Sequence, residues 1–359
     1  MKKLDWYILK NFLFTFFYSV LLFTVITVVI DTSEKTDDFV KSGLSYKEIW
    51  RQYYSGFVPH IVSILFPLFV FIAVIFFTSK LANRSEFIAI LAGGVSLKRM
   101  LVPYFAGGIF LALLLWVGNL YFVPRANVKR AAFETKYVNG PSLNFQSSGI
   151  YMQVDSFSYC GIRYYDTTSK SGGSFFMETV RNNNVVYNLR ADNIMWDTAA
   201  KNWKLSGVIE RRINGLKEEV TYEQSINRKF NFLPQDLRDD DYIKDRLTSP
   251  ELKRMIELAR LRGTESVKEL SMEQHRRNAT PASVVILTLI GAVIACRKIR
   301  GGSGIHLAAG LCISAIYIVS DRFSTIFSTK GDLHPFIAAW LPNVVFALVA
   351  FYLYKKAPK

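Results

Sequence analysis

The sequence predicts an α-helical membrane protein with six transmembrane helices, three on either side of an inserted periplasmic β-jelly-roll-like domain. Three observations predict it. Six apolar runs each reach about 20 residues, the length that crosses ~30 Å of hydrocarbon. A long polar stretch, about Pro124 to Arg277, separates the third run from the fourth. The Lys and Arg of the short connections all fall on one side once six spans are threaded. Composition agrees. The chain of 359 residues is 50% hydrophobic and 14% aromatic, with a mean hydropathy of +0.18. That is too apolar for most soluble domains and too polar for a bare helical bundle.

The first half of the membrane part is residues 1–123. Its spans run from about Asn11 to Ile30, Phe57 to Ser79 and Met100 to Val123. The second half is 278–359, with spans at Ala279 to Cys296, Ile305 to Phe327 and Pro335 to Tyr354. Pro59, Pro67, Pro103 and Pro281 fall inside or at the start of these spans, where neighbouring helices re-satisfy the freed carbonyls. Each is either a simple kink or a hinge. Between the halves, 124–277 changes period. Ile150–Val154, Val185–Leu189, Asn193–Trp196 and Trp203–Ile209 read as short strands, with a turn at Asp197–Asn202. Short alternating strands separated by Gly, Asn and Asp point to an antiparallel sandwich or jelly roll. Its interior is either a filled core or an open apolar trough that guides an acyl chain. From Pro250 to Gly263, Leu252, Met255, Ile256, Ala259 and Leu261 recur at helical spacing, and Ser266 to Arg277 leads helically into span four.

The formal charge is +15, and its location matters more than its sum. Lys2, Lys3 and Lys10 precede span one. Lys80, Arg84, Lys98 and Arg99 lie between spans two and three. Arg297, Lys298 and Arg300 lie between spans four and five, and Lys355, Lys356 and Lys359 come after span six. That side is cytoplasmic by the positive-inside rule, so both termini are cytoplasmic and the insert is periplasmic. Charge that tracks topology in this way argues against a nucleic-acid partner. Cys160, Cys296 and Cys312 form neither a disulfide framework nor zinc spacing. The four histidines are scattered, and no GxxxxGK[ST], HExxH, CxxC or GxSxG occurs. The chain is therefore expected to hydrolyse no ATP, to hold no cofactor or metal, and to draw its energy from a partner.

Five segments carry a family resemblance. They are the opening Leu4-Asp-Trp-Tyr-Ile-Leu-Lys10, the loop Arg84-Ser-Glu-Phe-Ile-Ala-Ile-Leu-Ala-Gly-Gly-Val-Ser-Leu-Lys-Arg99, Glu273-Gln-His-Arg-Arg-Asn-Ala-Thr-Pro281, the basic turn Arg297 to Gly304, and Ala338-Ala-Trp-Leu-Pro-Asn343. In this order and topology the chain resembles the LptF/LptG (YjgP/YjgQ) permeases over nearly its whole length. Asp321-Arg-Phe323 leans toward the LptG-like branch. The resemblance implies the permease subunit of an inner-membrane ABC transporter. It would extract lipopolysaccharide and pass it to periplasmic bridge proteins for outer-membrane assembly. The implied partners are an LptB-like ABC ATPase, a second, LptF-like permease chain and LptC/LptA-like periplasmic jelly-roll proteins. A membrane protein that couples a cytoplasmic ATPase to a periplasmic domain mechanically, without moving substrate, is the alternative.

The candidate site residues fall into three groups. The loop at about 84–96 reads as a short amphipathic helix, with Glu86, Ile90, Leu91 and Val95 on one face, Arg84 and Arg99 flanking it, Gly93 and Gly94 ending it, and Ser96 capping the next helical segment. The resemblance makes it the ATPase-coupling helix; without it, the loop reads equally as a solvated inner turn. Beyond the outer ends of the spans, Lys35, Arg125, Lys129, Arg130, Arg276 and Arg277 could meet lipid-headgroup phosphates, or snorkel to ordinary headgroups. A deeper position that is basic in some members of the family is Val28 here. Phe23, Phe66, Phe69, Ile313 and Ile316 are candidates for a cavity lining or for plain packing. Asp321 and Arg322 are candidates for a lateral gate between spans one and five or for interfacial anchoring.

Overall fold

The protein is described by a computed structural model covering residues 3–138, 149–166, 169–215, 217–237, 243–262, 266–296 and 303–357. Residues 142–148, Gly263, the basic turn at 297–302, Lys2 and Lys359 lie outside the described residues. Among the described residues, six helices are long and apolar enough to span a membrane.

The first of these, α1 (Lys3–Glu34), starts well before the predicted apolar run, so the opening segment and the span are one rod. A short α2 (Thr36–Ser42) comes next, ended by Gly43 in the left-handed region. Then α3 (Tyr46–Ile49) continues through a π turn at Trp50–Tyr54 into α4 (Ser55–Asn83). The inner-loop helix α5 (Glu86–Ala92) precedes α6 (Leu97–Val117), whose N-cap Ser96 accepts from the Arg99 amide. A second π turn, Gly118–Phe122, leads into α7 (Val123–Phe133) and a third, Glu134–Val138. Pro124 therefore does not end the helix: it falls at the junction of the second π turn and α7, inside one helical run. After the β insert come α8 (Ile243–Arg246), α9 (Ser249–Arg262), α10 (Ser266–Ala295), α11 (Ser303–Thr329) and α12 (Pro335–Lys356).

Apolar burial drives no association between helices already in lipid, so close approach and polar contacts must hold the bundle. Gly107 lets α6 touch α1: a Cβ there would lie 2.7 Å from a Phe12 ring carbon. Asn343 of α12 donates to the Ala279 carbonyl of α10 at 2.7 Å and accepts from the Tyr317 hydroxyl of α11 at 3.1 Å. One asparagine therefore joins the last three spans. The largest apolar cluster gathers Phe12, Phe16, Phe66, Phe69, Val70, Met100 and Tyr104.

The chain divides into two compact units. The helical one is Met1–Val138, Lys244–Leu252 and Lys268–Lys359; the other is Asn139–Ile243 and Lys253–Val267. The second contains β1 (Ile150–Gln153), β2 (Ser158–Asp166), β3 (Ser171–Arg181), β4 (Asn184–Asp197), β5 (Asn202–Asn214) and β6 (Lys217–Arg228). They form one antiparallel sheet in sequential order. Two of the predicted strands, Val185–Leu189 and Asn193–Trp196, are the two halves of β4.

A crease explains why β4 reads as two strands. The ladders skip Arg163, Ser174, Asp192, Gly207 and Gln224, one residue per strand at one level. Ser174 and Gly207 have positive φ there, and a Cβ on Gly207 would strike the Asp192 carboxylate at 2.1 Å. Across that level the buried positions change parity, from Leu189 and Ala191 to Ile194, and from Trp203 and Leu205 to Val208. The sheet is therefore folded. Arg228 is the ladder partner of Trp203, seven positions or roughly 23 Å along the strand from Glu210. Its guanidinium still reaches the Glu210 carboxylate at 2.7 Å, which a flat sheet would forbid. The interior is packed: Phe230 lies against Phe175, and Phe232 lies against Trp203, whose indole N–H donates to the Phe232 carbonyl at 3.0 Å.

Candidate functional site

Two polar belts mark opposite ends of the helical unit. At the end bearing the α1 N-terminus, the Arg99 guanidinium donates to the Asp5 carboxylate at 2.6 Å, with Asp5 only 3% exposed. The Tyr7 hydroxyl reaches Glu86 at 3.5 Å. Arg84 pairs loosely with Glu86 at 3.8 Å. The loop that holds α5 is thereby tied to the start of α1.

Helix α5 occupies Glu86–Ala92, a shorter stretch than the expected 84–96, and its faces are rotated from the expectation. Phe87 is buried, and Ile90, Leu91 and Val95 pack against the main apolar cluster. They hold α5 to the bundle and cannot also be its outward face. Ile88 is the large apolar side chain of α5 that stays exposed, at 47%. Periodicity groups residues on a common face but does not say which face a bundle claims. Gly94 adopts φ +80 just past the helix and has open space around it, as a terminating glycine requires.

At the opposite end the predicted cations do not behave alike. The Lys35 ammonium lies 3.1 Å from Asp31 and 3.5 Å from Glu134, and donates to the Tyr53 hydroxyl. Tyr53, in the first π turn, donates to Asp31 at 3.0 Å and belongs to an aromatic cluster with Phe39, Phe57 and Phe133. Val28 packs against that cluster. Arg130 is buried and faces Glu134 at 3.6 Å. Arg277 is buried too. Its Nε donates to Glu273 at 2.9 Å, and its terminal nitrogens donate to the Leu247 and Lys244 carbonyls, each at 2.8 Å. Arg276 donates to the other oxygen of Glu273 at 2.9 Å and is partly exposed. Burial, reinforced by the nearby Glu273, pushes the Asp245 carboxyl above its ordinary range. Arg125 and Lys129 remain exposed on α7. Lys35, Arg130 and Arg277 are thus engaged within the chain, which corrects the expectation that all six cations stand ready for a headgroup.

The cavity candidates divide as well. Phe66 and Phe69 are core residues, and Phe23 stacks on Phe69 with ring centroids 5.5 Å apart, so these three take part in packing. Ile313 leans on a smaller cluster around Phe71 and Tyr317, whereas Ile316 is exposed. Arg322 is exposed; Asp321 is partly buried and interacts with Arg276 across the α10–α11 boundary as well as with Arg322. Sequence reasoning missed Asp5, Asp31, Glu134 and Glu273, the carboxylates that hold these cations. Three of them sit three or four residues from a cation in sequence, a signal that was available.

The fold and its belts define a multi-pass membrane protein with an inserted β domain, carrying a short helix in the loop between its second and third spans. A sequence profile described as lipopolysaccharide export system permease LptF/LptG matches residues 6–356. The chain belongs to this family, whose members are inner-membrane permease subunits of lipopolysaccharide export and not themselves catalytic. It is similar to the lipopolysaccharide export system permease protein LptG of Escherichia coli K12, at 22% identity over 98% of this chain and 97% of that protein. The LptG of Escherichia coli O6:H1 strain CFT073 matches to the same extent.

Proposed function

We propose that this chain is the LptG-like membrane subunit of an ABC exporter that lifts lipopolysaccharide out of the inner membrane and passes it to periplasmic bridge proteins. The observation that carries this reading is the pairing of two unlike ends on one bundle. One end presents a short helix with an exposed apolar residue and basic flanks; the other presents exposed cations beside spans that keep wide apolar faces. The first end is cytoplasmic and receives a separate ATPase through Ile88 of α5, with Arg84, Glu86 and Gly94 shaping the contact. Ile90, Leu91 and Arg99 carry its motion into the bundle. The other end is periplasmic. Arg125, Lys129 and the exposed edge of Arg276 meet headgroup phosphates, Arg bidentately and Lys as a point charge. Lys35, Arg130 and Arg277 stand behind them and set the positions of α1, α7 and α10.

Spans α1 and α11 have only 6% and 22% of their apolar windows buried, the lowest of the six. Those faces are where a second, homologous permease chain and the lipid share the surface, with Ile316, Asp321 and Arg322 on the α11 side of a lateral gate.

The test is affinity purification of the tagged chain from Gram-negative inner membranes, with mass identification of bound proteins and lipid. An ATPase, a second permease and stoichiometric lipopolysaccharide are expected. Ile88→Asp should release the ATPase while the second permease stays bound. Partners without any bound lipid would favour the mechanical alternative. A tag in the β5–β6 turn that is reached only from the cytoplasm would overturn the orientation and every role that depends on it.

A further inference from the structure

At the end of the helical unit opposite Asp5 and Arg99, the loop from α11 to α12 meets α10 and brings two histidines together. His334 is the N-cap of α12, and its Nδ1 accepts from the Phe336 amide at 3.3 Å. On α10, the His275 ring stands edge-on to the Phe336 ring, with centroids 5.6 Å apart at 87°. His334 is exposed and His275 is half-buried. The rings are close enough that a charge on His334 acts on His275. The other charged groups of this corner are Lys268 and Arg276 on α10 and Lys330 and Asp332 in the loop. Lys268 donates to the Gly331 carbonyl at 2.9 Å and lies 3.4 Å from Asp332. Arg276 is turned to Glu273 at 2.8 Å. A backbone amide can only donate, so the cap requires a bare Nδ1. A second proton on that ring removes the acceptor and sets a positive charge at the positive end of the helix dipole. Histidine is the side chain whose charge ordinarily changes between pH 5 and 8.

We propose that His334 and His275 form an acid-released latch, in which the neutral His334 ring closes the first turn of α12 against α10 and its protonation opens that turn. The closed form binds one proton fewer than the open form, so acid favours opening. An imidazolium at His275 repels one at His334 and adjusts the pH at which the latch gives way. The opening stays local. Asn343, nine positions or roughly 13.5 Å along α12, still ties it to α10 and α11. Ser324 of α11 donates to the Ala338 carbonyl at 2.6 Å, so the turn that opens is also the one that fastens α11, three residues from Asp321. The latch goes beyond the export reading and needs no lipid, ATPase or second permease to operate.

The experiment follows hydrogen exchange of the Phe336 amide in the full-length protein in a neutral maltoside detergent from pH 8 to pH 5. Each rate is divided by the intrinsic rate at that pH. The Arg99 amide is the control, because it is bonded at 3.4 Å to the Ser96 hydroxyl, a cap that does not titrate. Protection of Phe336 is expected to fall about tenfold across the range while Arg99 keeps its own. His334→Asn supplies a cap without a titrating ring and should hold Phe336 protection constant within about twofold. His275→Gln should keep the fall but move its midpoint to higher pH, since His334 then takes its proton without a cationic neighbour. A fall that persists in His334→Asn, an equal loss at Arg99, or protection indifferent to pH in the unaltered chain would each overturn the proposal. So would a midpoint that stays or drops in His275→Gln.

Discussion

Replacing Arg277 by Leu removes a side chain that is 6% exposed and contacts four partners, Glu273, Ser249 and the carbonyls of Lys244 and Leu247. Glu273, equally buried, keeps Arg276 but loses the bond to its other oxygen. The Lys244 and Leu247 carbonyls lose their donor, and the start of α9 loses the contact between Arg277 and Ser249. Breaking a buried ion pair by removing one partner costs about 3–5 kcal/mol, and each orphaned buried acceptor adds toward the upper end of that range. Arg277→Leu should therefore destabilise the helical unit by about 3–5 kcal/mol. Arg277→Lys keeps the charge but cannot serve several acceptors with one planar fork, and should cost about 1–3 kcal/mol. The assay is equilibrium unfolding in mixed micelles of denaturing and mild detergent, read by circular dichroism, with limited proteolysis of 243–249 as a local probe. Arg84→Ala serves as the control, because its 3.8 Å pair with Glu86 is exposed and contributes about 0–1 kcal/mol. A loss below about 0.5 kcal/mol for Arg277→Leu, with 243–249 still protected, would refute the assignment of Arg277 as the anchor of this segment.

Asp5→Asn should cost about 1–2 kcal/mol by weakening the bond from Arg99, and the exchange Asp5→Arg with Arg99→Asp should recover part of any lost coupling between ATP hydrolysis and lipid release in the assembled exporter. Gly107→Val should push α1 off α6, because its Cβ would meet the Phe12 ring at 2.7 Å; the unfolding temperature should fall by an amount that Phe12→Ala partly restores. Glu251 accepts from the Thr248 amide at 2.8 Å and hydroxyl at 2.6 Å, and these bonds hold its carboxyl below the ordinary glutamate value of 4.5. A depressed folded value means the contribution is complete above pH 4.5 and is lost as the pH falls through the lower folded value. Glu251→Gln should flatten the pH dependence of protease protection at the start of α9 in that acid window only; an unchanged profile would refute it.

The spans were legible because about 20 consecutive apolar residues have no soluble explanation. Their ends were not. Charged residues such as Asp5 and Lys10 sit within α1, and π turns carry helical structure beyond the expected limits, ahead of Phe57 through Trp50–Tyr54 and past Val123 through Gly118–Phe122. In the β domain, the Trp203–Ile209 part of β5 was legible through the alternation around Trp203. β6 was not, since nearly all its residues are exposed and an edge strand with no buried face need not alternate. β2 and β3 hid behind glycines and polar residues that only the crease makes sense of. At the site, the pairs Asp31–Lys35 and Glu273–Arg277 stand four apart in sequence and could have been read from spacing. Asp5–Arg99 stands 94 residues apart, and only packing reveals it.

Proline is present in α4, α6, α10 and α12 but absent from α11 and from the longer α1. That rod is tethered near its beginning through Asp5 and near its finish through Asp31, 26 positions on and so about 39 Å away. Lacking a soft joint, it behaves as a strut: a sideways shove delivered at one tether cannot be absorbed midway and must emerge at the other as tilt or translation. The span most open to lipid is thus ill suited to keep a disturbance on the face where it arose.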